Sequence, residues 1–345
     1  MNILLPPLAL LSAFIGSAYA QSSVQFYGNI DIGLIKRSGQ PLALGKRANN
    51  TLGIKGSEAL GNGLDALFQL EIRYEPDTGS AEQGPGGAQR PLFQGQSRVG
   101  LRGAFGTVRL GRGLTAFQES SAAFDPWYGS PTPAGFQTDL TIAGFTSDPL
   151  GPVGNSTNRM SNGLFYNSPE VAGMQLNATV GTREANGGPP LIGKGSAQDP
   201  QYPANAAASS TPVSLTATYR RKDLSMMLAF ERNAVESRLY AAGLSLVLAS
   251  STRVMVSHTR QDQSHIRVVQ AHSKAWVIGL QQALGPGRVL AGYGWKDVDE
   301  SSTTRQASLG YEYDLSKRTR LYADVSSKKA PQRVRHLDLG VNHQF

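Results

Sequence analysis

The chain has 345 residues, with 33 Lys and Arg against 25 Asp and Glu, and it carries a formal net charge of +8 at pH 7. It has no cysteine, which excludes disulfides and thiolate metal sites. Only 17% of its residues are charged, while glycine numbers 39 and proline 19, and this favours many short elements joined by turns. The basic residues are scattered, without a basic helix or a basic-aromatic motif, so we expect no nucleic-acid partner.

The first twenty residues form an apolar run that ends in small residues. Residues 18–20, Ala-Tyr-Ala, match the A-x-A cleavage pattern of exported proteins. A double proline at positions 6 and 7 disfavours an uncleaved anchor helix, although no Lys or Arg precedes the apolar run. We therefore predict a signal peptide over residues 1–20, cleaved after Ala20, and a single mature domain over residues 21–345.

Beyond the signal peptide, apolar side chains recur at every second position in a series of segments. A period of two indicates β-strands with one apolar face. Each segment is close to the ~9–11 residues that a tilted strand needs to cross a bilayer. The clearest segments are 24–34, 64–74, 174–180, 213–219, 224–230, 307–313 and 337–345.

The connections between these segments alternate between tight turns and long segments. Tight turns are predicted at 60–63, 103–106, 221–223, 284–287 and 315–318, and long segments at 36–49, 75–90, 113–157 and 182–210. Short turns at one end and long loops at the other are typical of outer-membrane barrels. A mean hydropathy of −0.26 is compatible with this fold, because the face toward the lumen stays polar.

The main alternative is a soluble two-sheet fold with the same alternation. The apolar faces of the predicted strands often end in aromatic residues, which suit a membrane interface. These residues are Tyr27, Tyr74, Tyr166, Tyr219, Tyr311 and Tyr313. Together with the signal peptide, they favour a transmembrane barrel.

Several segments also resemble one family, the trimeric general porins of β-proteobacteria. The matching segments are 23–34, 53–71, 105–112, 158–169, 315–322 and 340–345, so the resemblance covers the mature chain from end to end. It implies an all-β, 16-stranded antiparallel barrel in the outer membrane, surrounded by lipid and lipopolysaccharide, with its third loop folded into the pore. It also implies a homotrimer that lets ions and small hydrophilic solutes diffuse through a water-filled channel.

The longest connection, 113–157, carries charges of one sign only. Its acids are Glu119, Asp125, Asp139 and Asp148, and no Lys or Arg lies between Leu114 and Asn158. The flanking strand segments carry Arg98, Arg102, Arg109, Arg112 and Arg159. In the family that the chain resembles, such carboxylates face an arginine ladder at the narrowest point, and opposed charges there create a field that orients polar solutes. The alternative for each arginine is a solvated rim charge or an external lipopolysaccharide contact.

Strand parity places Arg98, Arg102 and Arg109 on one polar face. Arg112 breaks this parity, and we expect it at the entrance of the loop. At three positions that tend to face the lumen, the family often has Arg where this chain has Thr51, Gly95 and Asn342. The constriction is therefore expected to be less basic than in typical relatives, and the preference between anions and cations stays open.

Other functions find little support in the sequence. There is no G-x-S-x-G elbow, P-loop or H-E-x-x-H motif, and the five histidines never fall at a metal-binding helix spacing. We therefore expect no catalysis, metal or cofactor. Two further alternatives are a substrate-specific channel, for which the lumenal aromatics Tyr27 and Phe165 are too few, and a non-conducting structural or adhesive barrel.

The last residue, Phe345, follows alternating apolar positions from Leu337 onward. An aromatic carboxy-terminal residue in this setting resembles the signal that the barrel assembly machinery reads. The simpler alternative is an aromatic residue at the membrane interface.

Overall fold

The structure is a computed structural model that describes residues 22–84, 89–151, 157–183, 209–249 and 251–345, and the backbone of 191–192 and 202–203. The predicted signal peptide, residues 1–20, lies outside the described residues and stays a prediction. So does most of the long segment 182–210.

Sixteen antiparallel strands form one closed barrel, which confirms the predicted fold class. They are β1 (Ser23–Arg37), β3 (Asn50–Gly61), β4 (Leu64–Tyr74), β5 (Gln96–Gly103), β6 (Gly106–Leu114), β7 (Arg159–Asn167), β8 (Met174–Gly181), β11 (Val213–Arg221), β12 (Leu224–Arg232), β13 (Arg238–Leu248), β14 (Thr252–Asp262), β15 (His272–Leu284), β16 (Gly287–Val298), β17 (Thr304–Asp314), β18 (Thr319–Ala330) and β19 (Gln332–Gln344). There are three further short strands: β2 (Ala43–Gly45) pairs with β1, and β9 (Leu191–Ile192) pairs with β10 (Tyr202–Pro203). The first and last strands pair to close the barrel, from Asn29 opposite Gln344 to Arg37 opposite His336.

Short turns lie at one end of the barrel, at 62–63, 104–105, 222–223, 285–286 and 315–318, where the sequence predicted them. The turn between β3 and β4 illustrates why these residue types form tight turns. Its two central residues, Asn62 and Gly63, both have positive φ, 50° and 74°. Two consecutive positive φ values are typical of the type I′ hairpin turn, which matches the twist of the strands. The long connections lie at the opposite end, which the porin architecture assigns to the outside of the cell.

The two faces of each strand differ as the alternation predicts. On β19, Leu337 and Leu339 are about half exposed, at 50% and 56%, whereas His336 and Asp338, which alternate with them, are buried. The exposed apolar side chains therefore cover the outside of the barrel, where lipid solvates them, and the polar ones face the interior.

The connection between β6 and β7, residues 115–158 and here called loop 3, folds into the barrel as predicted. It contains the helix α1 (Ala116–Ser121), a 3-10 turn (Ala122–Phe124) and a π-helical turn (Gln137–Thr141). None of the helices in the described segments is long and apolar enough to cross a membrane. Inner-wall side chains bind loop 3 along its length: Thr259 donates to the Thr141 carbonyl at 2.8 Å, and Gln306 to the Gly135 carbonyl at 2.9 Å.

Burial of apolar side chains fixes loop 3 against the inner wall of β12 to β16. One cluster joins Trp127, Phe136 and Leu140 of the loop to Val277 and Leu290 of the wall, and all of these are at most 1% exposed. A second cluster joins Phe117, Phe124, Ile142 and Phe145 to Met227, Leu239 and Ala241. Such burial contributes about 1.5–3 kcal/mol for each large side chain.

Three glycines of the wall allow this close approach, and they are called here the glycine track: Gly243, Gly279 and Gly292. They contact Phe124, Pro126 and Phe136 of loop 3, respectively. A Cβ at these positions would lie 2.2–2.6 Å from those side chains, closer than real Cβ atoms come to their neighbours. At these three positions the loop therefore packs directly on the backbone of the wall.

Candidate functional site

The centre of the candidate site is Glu119 on α1. Thr115 begins this helix and accepts a hydrogen bond from the Gln118 N–H at 3.4 Å, which sets the direction in which α1 leaves β6. One Glu119 carboxylate oxygen lies 2.8 Å from Nη1 of Arg98, and the other lies 3.5 Å from Nη2 of Arg109. These three groups, called here the central charge cluster, join loop 3 to β5 and β6 and carry a net charge of +1.

Neighbouring side chains hold both arginines in place. Arg98 also donates to Oε1 of Gln69 at 3.0 Å, and its guanidinium lies 5.4 Å from the centre of the Phe165 ring. Arg109 donates to the side-chain oxygen of Asn167. The Arg98 side chain is only 5% exposed, so its charge is fixed in position and weakly screened by solvent.

A polar cavity lies beside the central charge cluster, on the side of the short turns. Its lining includes apolar residues of β4 and β5 together with cations and uncharged polar groups, namely Gln25, Lys55, Gln69, Arg98, Arg102 and Arg109. These residues come from β1 and from β3 to β6, the part of the wall that faces α1. A hydrated solute that passes the central charge cluster therefore meets this cationic wall.

Arg112 lies beside a β-bulge between β6 and β7 and contacts loop 3. The register between β6 and β7 shifts between Gly111 and Gly113, and Gly111 has φ 126°, which favours glycine. The extra residue lies on β7, where three steps from Met160 to Gly163 oppose two steps on β6. Nη1 of Arg112 lies 3.7 Å from Oδ2 of Asp148 and 2.6 Å from Oγ of Ser161. Burial is the largest influence on Asp148 and raises the pKa of its carboxyl group. Pairing of β6 with β5 stays regular at this point, with Arg112 opposite Ser97 and Gly111 opposite Arg98, so Arg112 lies on the face opposite to that of Arg98.

The other two predicted arginines lie away from these acids. Arg159 begins β7 and is buried, with Nε donating to the Gly95 carbonyl at 2.6 Å and Nη1 to Oδ1 of Asn158 at 2.8 Å. Arg102 lies at the short-turn end of β5, where it pairs with Asp65 at 2.8 Å and keeps 55% of its side chain exposed. Its position corresponds to the alternative that the sequence left open, a solvated rim charge.

Two of the predicted acids differ from the expectation that they face arginines. Asp125 is buried within loop 3, where its carboxylate accepts the backbone N–H groups of Trp127 at 2.7 Å and Phe136 at 3.1 Å. Its oxygens are used to hold the loop together, and burial raises its pKa. Asp139 lies 2.6 Å from Nζ of Lys328 on β18. The structure therefore brings Glu119 and Asp148 to arginines, and Asp139 to a lysine on the opposite wall.

A second cluster on that opposite wall was not predicted. Arg47, between β2 and β3, lies 2.8 Å from both Glu312 on β17 and Asp324 on β18, and 4.7 Å from the centre of the Tyr322 ring. Asp324 also accepts a hydrogen bond from Nε1 of Trp127 at 3.0 Å. This cluster therefore ties loop 3 to the wall. The signal that the sequence offered was an acid on the polar face of each of two successive strands, Glu312 on β17 and Asp324 on β18.

The carboxy terminus lies at the closing seam of the barrel. Phe345 and Gly28 exchange two backbone hydrogen bonds, of 3.1 and 3.2 Å. A Cβ at Gly28 would lie 2.4 Å from the Phe345 ring, so the ring covers the space that the glycine leaves. Phe345 thus has a structural place in the seam, and its role as an assembly signal stays a prediction.

Comparison with known proteins identifies one family, the Gram-negative porins. A family model described as Gram-negative porin matches residues 8–331. An outer membrane porin protein of Bordetella pertussis is 24% identical over 98% of this chain and 98% of its own length. Outer membrane porin protein 32 of Delftia acidovorans is 27% identical over 93% of this chain and 88% of its own length.

Solved structures share the fold. An anion-selective porin from Comamonas acidovorans superposes with a TM-score of 0.73 at 22% identity, covering 94% of this chain and all of that one. A trimer form of OmpT, an outer membrane protein of Vibrio cholerae, superposes with a TM-score of 0.66 at 12% identity, covering 94% of this chain and 99% of that one.

Proposed function

The chain belongs to the Gram-negative porin family and is an outer-membrane channel for solute diffusion, and from this premise we propose that the central charge cluster sets its selectivity. The observation that carries this proposal is the position of Glu119, which lies between Arg98 and Arg109 where loop 3 meets the wall of β5 and β6. Arg112 with Asp148, and Lys328 with Asp139, extend the charged lining.

We infer a weak preference for anions. Two arginines against one glutamate leave one net positive charge at the central charge cluster, and Lys55 adds another in the neighbouring cavity. The structural relative from Comamonas is described as anion-selective, which supports the same sign. The preference is expected to be weak, because Thr51, Gly95 and Asn342 stand where basic relatives often carry arginine.

We also propose that the mature protein is a homotrimer that is exported by a cleaved signal peptide and has no catalytic activity. The trimer form of the structural relative from Vibrio supports the oligomer. The A-x-A pattern at residues 18–20 supports the cleavage. The permeating solutes are ions and small hydrophilic molecules, because the lining of the passage is charged and amide-bearing.

Single-channel recording tests this function. The purified protein in a planar bilayer is expected to give stepwise conductance and, across a KCl gradient, a reversal potential of the anion-selective sign. Conductance that saturates at low concentration of one solute, and that this solute blocks, would instead indicate the substrate-specific channel. Failure to conduct, with a β-dominated circular dichroism spectrum intact, would indicate the structural barrel and would overturn the proposal.

A further inference from the structure

A row of polar side chains on the inner wall meets the start of loop 3 and is called here the docking row. Thr179 on β8 lies directly opposite Ser214 on β11, and Ser214 lies directly opposite Glu231 on β12. Residues directly opposite each other in antiparallel strands share a face of the sheet. All three are at most 1% exposed. Loop 3 therefore begins on a buried polar strip that crosses three strands.

The docking row binds three successive residues at the start of loop 3 and α1. The contacts run from Oγ1 of Thr179 to the Ala116 N–H at 3.0 Å, from Oγ of Ser214 to the Phe117 N–H at 3.1 Å, and from Oε2 of Glu231 to the Thr115 hydroxyl at 2.7 Å. The first N–H groups of a helix have no acceptor within the helix. The wall supplies these acceptors and thereby fixes the point at which α1 begins.

Thr115 connects Glu231 to the central charge cluster. A hydroxyl group has one hydrogen to donate and two lone pairs with which it accepts. The Thr115 hydroxyl donates its hydrogen to Glu231, which leaves its oxygen to accept the Gln118 N–H at 3.4 Å. The Thr115 carbonyl accepts the Glu119 N–H at 2.9 Å. The position of Thr115 therefore determines the position of Glu119, one turn along α1.

The same register also reaches Arg98, the partner of Glu119. Phe165 on β7 lies directly opposite Thr179, and its ring centre lies 5.4 Å from the Arg98 guanidinium. One line of wall residues thus contacts Arg98 and the start of the helix that carries Glu119. Because these two charges lie only 2.8 Å apart, a shift of α1 along this line changes their separation.

Glu231 has no partner of opposite charge that would account for its burial. Its neighbours are hydroxyl groups, namely those of Thr115, Ser147 and Ser214. Among the described residues, no cation pairs with it. Burial of a carboxyl group without a cation is unfavourable unless its oxygens are hydrogen-bonded. Two positions further along the chain, Asn233 donates to the Thr146 carbonyl, near the other end of loop 3, at 2.8 Å. This end of β12 therefore holds both limbs of loop 3.

We propose that Glu231 is a positioning residue for the selectivity of the channel. As a hydrogen-bond acceptor it holds Thr115, and through Thr115 it sets the distance from Glu119 to Arg98 and Arg109. The proposal rests on the proposed function, because it concerns the central charge cluster. Glu231 itself lies behind loop 3 and is fully buried, so it acts on permeating ions only through the position of Glu119.

The test uses paired substitutions that remove or keep each hydrogen-bonding group. Thr115→Val removes the hydroxyl and Thr115→Ser keeps it, while Glu231→Leu removes the acceptor and Glu231→Gln keeps one. The control is Thr218→Val, which removes another buried hydroxyl of the inner wall, one that donates to the Gln175 carbonyl at 3.5 Å. The measurement is the reversal potential across a tenfold KCl gradient at low mean salt, for each variant with and without Glu119→Gln.

Thr115→Val and Glu231→Leu are expected to raise the ratio of anions to cations by about two- to fivefold, up to the value of Glu119→Gln. Thr115→Ser, Glu231→Gln and Thr218→Val are expected to match the parent. No further shift is expected in the Glu119→Gln background, because the charge that the docking row positions is then absent.

Three results would overturn the proposal. The first is a reversal potential equal to that of the parent in folded Thr115→Val, even with a lower midpoint of thermal unfolding, because the role of these contacts would then be structural only. The second is an equally large shift in the Glu119→Gln background, and the third is a shift in Glu231→Gln as large as in Glu231→Leu. Thr115→Val keeps the test decisive should Glu231→Leu fail to fold.

A crystal structure of Thr115→Val separates this proposal from the proposed function. The distance between Glu119 and Arg98 is expected to exceed about 4 Å, the usual limit of an ion pair, and to stay at the parent value in Thr115→Ser. If Glu119→Gln leaves the reversal potential unchanged, the central charge cluster is not the selectivity site, and this distance alone then decides the positioning role. An unchanged distance in Thr115→Val refutes it.

Discussion

Replacing Glu119 by glutamine tests the central charge cluster most directly. The substitution keeps the size of the side chain and removes the one negative charge between Arg98 and Arg109, so the net charge of the cluster rises from +1 to +2. An ion that passes about 5 Å from this site gains or loses about 0.8 kcal/mol per unit charge in water, and screening at 0.1 M salt reduces this to about 0.5 kcal/mol.

That energy corresponds to about a twofold change in the local concentration of each ion, in opposite directions, so the local ratio of anions to cations is expected to rise about fivefold. At 1 M salt the Debye length falls to about 3 Å, and the change in the ratio is expected to be less than twofold. The measurement is the reversal potential across a tenfold KCl gradient, recorded at low and at high mean salt.

The matched control is Asp223→Asn, which removes the same charge in the exposed turn beside Lys222, far from loop 3. Arg109→Gln serves as the mirror variant, and its reversal potential is expected to move toward cations. Unchanged reversal potentials in both lumenal variants at low salt, with circular dichroism and oligomer content intact, would refute the assignment of the central charge cluster as the selectivity site.

Three further variants test other parts of the structure. Gly292→Val places a side chain where Phe136 now packs, which is expected to cost about 1–3 kcal/mol of strain. Loop 3 should then move toward β5 and lower the single-channel conductance. A conductance equal to that of the lipid-facing control Ala307→Val would contradict this expectation. Asp125→Ala leaves two buried backbone N–H groups without their acceptor, which costs about 1–3 kcal/mol for each group. The midpoint of thermal unfolding of the barrel is therefore expected to fall. An unchanged midpoint would show that contacts other than those of Asp125 hold loop 3 in place. Deleting Phe345 is expected to lower the amount of protein in the outer membrane more than it lowers protein synthesis. The control Phe345→Tyr should preserve both quantities. Equal amounts of the parent and the deletion variant in the outer membrane would contradict a role of Phe345 as an assembly signal.

The barrel was predictable from the sequence because its determinants are local. Alternation with a period of two is set by each strand alone, as in Leu64–Tyr74, and Asn62-Gly63 encodes its own turn. Parity along β5 and β6 also predicted that Arg98 and Arg109 share a face, and both contact Glu119. Each of these inferences needs only a few consecutive residues.

The candidate site was only partly predictable, because it depends on how a long loop folds. Composition showed that loop 3 is acidic, but it could not show that Asp125 binds backbone amides while Glu119 faces the arginines. The partners of Arg47 lie more than 260 positions away along the chain, and the register that brings Glu312 and Asp324 to it exists only after the barrel closes. The bulge on β7, opposite Arg112, likewise cannot be predicted from the alternation of side chains along β6.

The glycine track has a consequence for how the channel can vary over evolutionary time. Loop 3 packs on the wall where Gly243, Gly279 and Gly292 have no side chain. The width of the passage therefore depends on residues of the wall that lie between loop 3 and the lipid. A single base change that turns one of these glycines into alanine or valine alters permeability without touching any residue that a solute meets. Isolates that take up hydrophilic antibiotics more slowly should therefore be inspected at these three codons as well as at the charged residues of the lumen.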